Sequence, residues 1–191
     1  MQAEVPVEIG ALKRNRRTLI LIALVCLAPV VASYLTFWFW TPAAGANYGE
    51  LLQAAPWAPA HLRKPGGEAF DPATLKGRWL MVYSDSAACD EACRKSLWTQ
   101  RQVRIAQAKE MERVARVWLV TDGGTPAASL LAEHPDLLVL NADEAAASHG
   151  RIELVDPMGN LMMRYPAEPE PKRMIKDLAR ILKYSPLGKG D

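Results

Sequence analysis

The stretch that decides the fold is Lys76-Gly77-Arg78-Trp79-Leu80-Met81-Val82-Tyr83-Ser84-Asp85-Ser86-Ala87-Ala88-Cys89-Asp90-Glu91-Ala92-Cys93. Its apolar core, Trp79 to Tyr83, is short and follows a Lys-Gly turn, the pattern of a buried strand. From Asp90 to Glu112 the chain has no glycine or proline and is rich in Ala, Arg, Lys, Gln and Glu, which predicts a helix. A strand therefore runs into a helix through a short link, and Cys89 and Cys93 sit at that junction.

Downstream, the same alternation continues. Val114 to Val120 reads as a second buried strand, Pro126 to Glu133 as a helix with proline in its first turn, and Asp136 to Leu140 as a brief third strand. Ile152 to Val155 and Leu161 to Tyr165 flank Asp156-Pro157-Met158-Gly159-Asn160 and are expected to form a hairpin. Pro171 to Tyr184 places Met174, Ile175, Leu178, Ile181 and Leu182 on one helical face and cations on the other. Strand-helix-strand repeats imply parallel pairing with right-handed crossovers, and the hairpin adds antiparallel strands. The expected fold class is α/β, a thioredoxin-like sandwich with a central mixed sheet flanked by helices. Trp79, Trp98 and Trp118 are core or interface residues, with core the default for positions on strands and helices.

Upstream, residues 18–40 form an uncharged run, TLILIALVCLAPVVASYLTFWFW. At about 1.5 Å per residue a helix of that length crosses a hydrocarbon core of about 30 Å. Lys13-Arg14-Asn15-Arg16-Arg17 precedes it, and no charge follows until Glu50, so the positive-inside rule keeps residues 1–17 in the cytoplasm and exports the rest. The expected protein is a single-pass inner-membrane protein with a periplasmic, extracytoplasmic domain. The span is longer than the apolar core of a cleaved signal peptide, which favours a retained anchor. Five prolines and four glycines in residues 41–72 read as a tether, draped over the domain through Tyr48, Leu51, Leu52 and Trp57. The thioredoxin-like domain is assigned to 73–185, with 186–191 as a tail. A formal net charge of +2 with 23% charged residues gives no basic surplus for nucleic acid, which is excluded as a partner.

Of three cysteines, Cys26 lies inside the span, where a thiol behaves as a small hydrophobe. Cys89 and Cys93 are exported, and at i and i+4 on one helical face their sulfurs can meet or share an ion. Three roles are open: a structural disulfide, a redox pair, or a soft-metal site. A bridge over so short a loop adds only modest stability, and the amides of a helix N-terminus favour thiolate. Asp85, Asp90 and Glu91 crowd the pair with negative charge, which weakens an attacking thiol but helps hold a cation. That weighs toward a non-enzymatic metal role over a thiol-disulfide oxidoreductase. Thiolates select Cu(I), for which imidazole is a common further ligand. Of the histidines, His61 lies in the tether and His134 is expected on the surface at a helix end. His149 immediately precedes the strand from Ile152.

Lys76 to Tyr83, Cys89-x-x-x-Cys93 and His149 ahead of Asp156-Pro157-Met158-Gly159 together resemble the Sco (SenC) family. The resemblance covers roughly 70–184. It implies a membrane-anchored thioredoxin fold of cytochrome c oxidase assembly, which binds copper through two cysteines and a histidine. Carried over, the ligands fall on Cys89, Cys93 and His149, and the implied partners are an oxidase subunit or other oxidase assembly factors. Asp90 stands where members of the family usually carry proline. The alternatives are a membrane-bound reductase acting on copper-ligand cysteines of a partner, with Cys89 and Cys93 as its redox pair, and a non-catalytic scaffold.

Overall fold

The computed structural model describes residues 9–39, 47–57, 59, 61–142 and 150–186. It divides into two units, 1–44 and 45–191. The first contains helix α1, Ile9–Phe39, whose segment Asn15–Phe39 holds an 18-residue window with a mean hydropathy of 2.5 and is long and apolar enough to cross a membrane.

The second unit is built on six strands: β1 (Glu50–Pro56), β2 (Trp79–Asp85), β3 (Val114–Val120), β4 (Leu137–Asn141), β5 (Ile152–Val155) and β6 (Asn160–Arg164). Their spatial order is β1-β6-β5-β2-β3-β4. β2 pairs with β3 and β3 with β4 in parallel, whereas β5 is antiparallel to both β2 and β6. The mixed sheet and the hairpin are as the sequence predicts.

Helices α2 (Glu91–Ile105), α3 (Ala128–Glu133) and α4 (Pro171–Tyr184) cover one face. Two successive right-handed crossovers between parallel neighbours put their helices on the same side. Met81, Tyr83, Trp118, Ile152 and Leu154 face that layer, where they meet Leu97, Val103, Met174 and Leu178. Because side chains alternate along a strand, Leu80, Val82, Val117 and Leu119 face the other way. That second core is closed by Leu62, Leu75, Trp57 and Phe70.

Part of the expected tether is thus structural. Residues 50–56 form β1, hydrogen-bonded to β6 with an irregularity between Leu51 and Ala55, and Trp57, Leu62, Phe70 and Leu75 cover the second core. Strand β6 would otherwise leave an edge of unpaired amides and carbonyls. Gly49 enters this strand against the Met163 side chain, where a Cβ has no room. The long helix also ends sooner than its composition implies. α2 stops at Ile105, and Ala108 at φ 51° begins a 3-10 turn, Ala108–Arg113, that returns the chain to β3.

Trp98 is a correction to the expected core. Its side chain is 51% exposed, because the inward stripe of α2 runs through Cys93, Leu97, Gln100 and Val103 and leaves Trp98 on the opposite side. His134 is a second correction: it is buried, with Nδ1 3.4 Å from Arg116 Nη1. Arg116 is itself fully enclosed on β3 and donates to both carboxylate oxygens of Asp136. The guanidinium needed a polar lining, and the end of α3 supplies it.

Candidate site at the Cys89–Cys93 junction

β2 ends at Asp85, and the chain turns through Ser86-Ala87-Ala88 to Cys89, whose amide donates to Ser86 O at 3.3 Å. Cys89 has a φ of 43°, in the left-handed region that costs a non-glycine residue about 1 kcal/mol or more. Asp90 follows as the N-cap of α2, and its Oδ1 accepts the Cys93 amide at 2.9 Å. The sequence expectation that both cysteines project from one helical face needs revision. Cys89 precedes the cap and only Cys93 is on the helix, yet the left-handed turn at Cys89 carries its sulfur over the first helical turn. The two residues form a disulfide, with Cα atoms 5.1 Å apart. Both are buried, at 1% and 0% exposure.

Several backbone ties hold the junction. Asp122, in the loop after β3, accepts the amides of Ala87 and Gly124, and those two donors keep its carboxyl below the usual carboxylate range. Gly124 is required because a Cβ there would lie 2.6 Å from that of Ala87. Thr121 N donates to Asp85 O, and Gly150 N to Ser84 O at 3.1 Å. The ends of β2 and β3 and the entry to β5 thus converge beside the cysteines. Below them, the Tyr83 hydroxyl donates to Asp85 Oδ2 at 2.7 Å. Burial first, and then Asp85, push that hydroxyl above its ordinary range, so it stays protonated at neutral pH.

The surroundings carry both signs of charge: Arg94 Nε donates to Cys89 O at 3.4 Å, while Asp90 and Glu91 flank the first turn of α2. A cleft of about 360 Å³ opens beside the first turn of α2, lined by Asp90, Glu91, Lys95, Ser96, Thr99 and Glu168 among others. Its one cation, Lys95, bridges to Glu168 at 3.3 Å. Among the described residues no three or more His, Cys, Asp or Glu side chains gather as a metal-binding group. His149 lies outside the described residues, although Gly150, its neighbour in the chain, is tied to the end of β2. Asp122 and Tyr83 are the contributors that residue-by-residue reading misses. Asp122 had a signal in its Asp-Gly-Gly turn; Tyr83 had none beyond its place on the strand.

Residues 79–185 match the family model described as transmembrane-like, thioredoxin-like, C-terminal domain. The chain belongs to that family. This transmembrane-like, thioredoxin-like chain matches no curated protein at a significant level. Its fold is similar to that of solved Sco proteins. Yeast Sco1 superposes with a TM-score of 0.57 at 16% identity, over 67% of this chain and 98% of that one. Apo Sco1 from Thermus thermophilus gives 0.54 at 17% identity, over 74% and 98%. Yeast Sco1 with copper bound gives 0.53 at 15% identity, over 75% and 98%. At these identities the likeness establishes the thioredoxin-type fold.

Proposed function

We propose that this chain is a membrane-tethered, exported copper-handling assembly factor for cytochrome c oxidase. In this reading, α1 anchors it with Lys13 to Arg17 on the cytoplasmic side. Cys89 and Cys93 bind copper as thiolates and His149 supplies a third ligand. The observation that carries the reading is the placement of the two cysteines: adjacent sulfurs at the strand-to-helix junction of a thioredoxin-type fold. Copper-bound yeast Sco1 shares that fold. Opening the disulfide takes two electrons and two protons from an external dithiol and leaves two soft donors on neighbouring turns, suited to Cu(I).

Titration of the reduced full chain with Cu(I) against a competing chelator tests this. The expected result is one ion per chain, lost in Cys93→Ser and weakened at least tenfold in His149→Ala. Binding no tighter than that of a thiol peptide overturns the copper reading, and an unchanged His149→Ala removes the third ligand.

The closed Cys89–Cys93 bond favours a second reading, a thiol-disulfide reductase acting on copper-ligand cysteines of a partner. Cys89 would attack and Cys93 resolve. Its test is the reduction potential of the pair, which must lie within reach of a partner disulfide; a much more negative value leaves only a structural bridge.

A further inference from the structure

Helix α2 and the link into α4 are the two walls of the cleft of about 360 Å³ beside the cysteines. On the α2 side Glu91, Lys95 and Thr99 fall at i, i+4 and i+8, a stripe of about 12 Å along the helix axis. The facing wall is the stretch from Ala167 to Pro169. Pro166, Pro169 and Pro171 each fix φ there, and the Glu170 amide donates to the Tyr48 hydroxyl at 2.9 Å. With one helical wall and one held by proline, the cleft is preformed, and a guest binds it with little ordering of the chain.

Its polar groups are mostly acceptors. Asp90, Glu91 and Glu168 supply three carboxylates, and Lys95 is the single cation among the lining residues. Asp90 uses Oδ1 on the Cys93 amide; neither it nor Glu91 has an ion pair among the described residues. Arg94 is directed to Cys89 O and does not line the cleft. Thr99 is a separate signal. It is only 1% exposed, yet its hydroxyl has no hydrogen-bond partner among the described residues and is not sealed in the interior, so it opens on the cleft that Thr99 lines. A hydroxyl so placed is satisfied by whatever enters. The volume exceeds about tenfold the roughly 30 Å³ share of one water and reaches the lower end of ligand pockets, about 300 Å³, which suits an organic group over a bare ion.

We propose that this cleft is a recognition pocket for an arginine side chain of the partner protein that meets the Cys89–Cys93 pair. The inference deepens the proposed function and rests on it, since it gives the chemistry of the partner at that same junction. A guanidinium is planar, weakly hydrated and carries five N–H donors, enough to serve Glu91, Glu168 and the Thr99 hydroxyl together. Ala92, Ala167 and Pro169 flank its methylene stem. Lys95 is the resident competitor. Its bridge to Glu168 joins two exposed side chains, a weak pairing that yields to a better donor. Because Asp90 both lines the cleft and caps the Cys93 amide, an arginine seated here brings the neighbouring residues of its own chain to the sulfurs.

The test titrates the oxidised full chain in detergent micelles with acetyl-Gly-Gly-Arg-Gly-Gly-amide, and with the same peptide carrying neutral citrulline, followed by the amide NMR shifts of Lys95, Thr99 and Ala167. The arginine peptide is expected to bind at least fivefold more tightly than the citrulline peptide, a preference lost in Glu91→Gln/Glu168→Gln. Lys95→Gln removes the competitor and is expected to tighten arginine binding at least twofold, a gain that a misfolded chain does not produce. Thr99→Val is expected to weaken it at least twofold. Equal affinities for the two peptides, shifts confined to residues outside the cleft, or a preference that survives the double substitution overturns the proposal, as does an affinity indifferent to both Lys95→Gln and Thr99→Val. The Cu(I) titration and the reduction potential report on the cysteines separately: their failure with the arginine preference intact fails the proposed function, whereas their success without that preference fails only the pocket.

Discussion

Asp90 Oδ1 accepts the backbone amide of Cys93 at 2.9 Å, so the acid between the two cysteines is the cap of the helix that carries the second. A proline at this position would cap nothing with its side chain. The carboxylate does two things at once: it satisfies an amide that the helix leaves unpaired, and it sets a negative charge beside the sulfurs.

Substitution separates those two effects. Asp90→Asn keeps an acceptor for the Cys93 amide and removes the charge, so the reduced protein should alkylate with iodoacetamide severalfold faster at pH 7, at nearly unchanged stability. Asp90→Ala removes both and should also cost about 1 kcal/mol in urea denaturation. An alkylation rate indifferent to Asp90→Asn would show that the charge does not govern the thiols.

The left-handed turn at Cys89 gives a second expectation. The closed loop is short, so Cys89→Ala/Cys93→Ala should lose about 2 kcal/mol relative to the disulfide form. Without the bridge, nothing compels a side chain at φ 43°, and Cys89→Gly/Cys93→Ala should recover about 1 kcal/mol of that loss. Chemical denaturation of the two variants side by side measures the difference. If the glycine variant is the less stable, the backbone strain is not relieved in this way.

The strands and α4 were legible because each is a clean period: Trp79 to Tyr83 and Val114 to Val120 are unbroken apolar runs, and α4 keeps its stripe from Met174 to Leu182. β1 was not legible, because Glu50-Leu51-Leu52-Gln53-Ala54-Ala55-Pro56 lies among prolines and glycines. It is a strand only because β6 offers it an edge. The burial of His134 was hidden for a similar reason. Its partner Arg116 sits inside the apolar run of β3, and nothing local shows that a guanidinium there turns inward. At the site, the cysteine pair and its acidic neighbours could be read directly. The tie from Asp122 to Ala87 spans 35 residues and exists only in the fold.

Asp177 on α4 holds the entry to β1: its Oδ2 accepts the amides of Tyr48 at 3.2 Å and Gly49 at 3.1 Å. Asp177→Ala leaves two amides without their acceptor at a largely buried position, a loss of about 2 kcal/mol. Because the bonds hold the entry to β1, the first consequence should be local: faster limited proteolysis near residues 47–56, before global unfolding. Asp177→Asn, which retains an acceptor oxygen, should restore much of the protection. Cleavage spread evenly over the domain would mean that Asp177 supports the core of α4 and not the strand entry.

Acid should destabilise the domain in two windows, both traceable to the Arg116 cluster. Burial, reinforced by Arg116 and Arg101, pushes the His134 imidazole below its ordinary range. The folded protein then binds fewer protons at His134 than the unfolded chain does, so stability falls as pH drops below about 6.5, where an unperturbed histidine titrates. Burial by itself would raise the Asp136 carboxyl, but Arg116 and, more weakly, Arg104 outweigh it and hold the group below the usual carboxylate range. Its contribution is complete above about pH 4 and is lost as pH falls further, when the carboxylate facing the enclosed guanidinium takes up a proton. Urea midpoints of the native protein should therefore decline between pH 7.5 and 5.5, and again below pH 4. His134→Gln should abolish the first decline and leave the second. An equal decline at pH 5.5 in the variant would move the first step to another group, and Arg116→Met, which leaves Asp136 without its buried partner, should lower the midpoint even at pH 7.5, by a loss of about 3 kcal/mol.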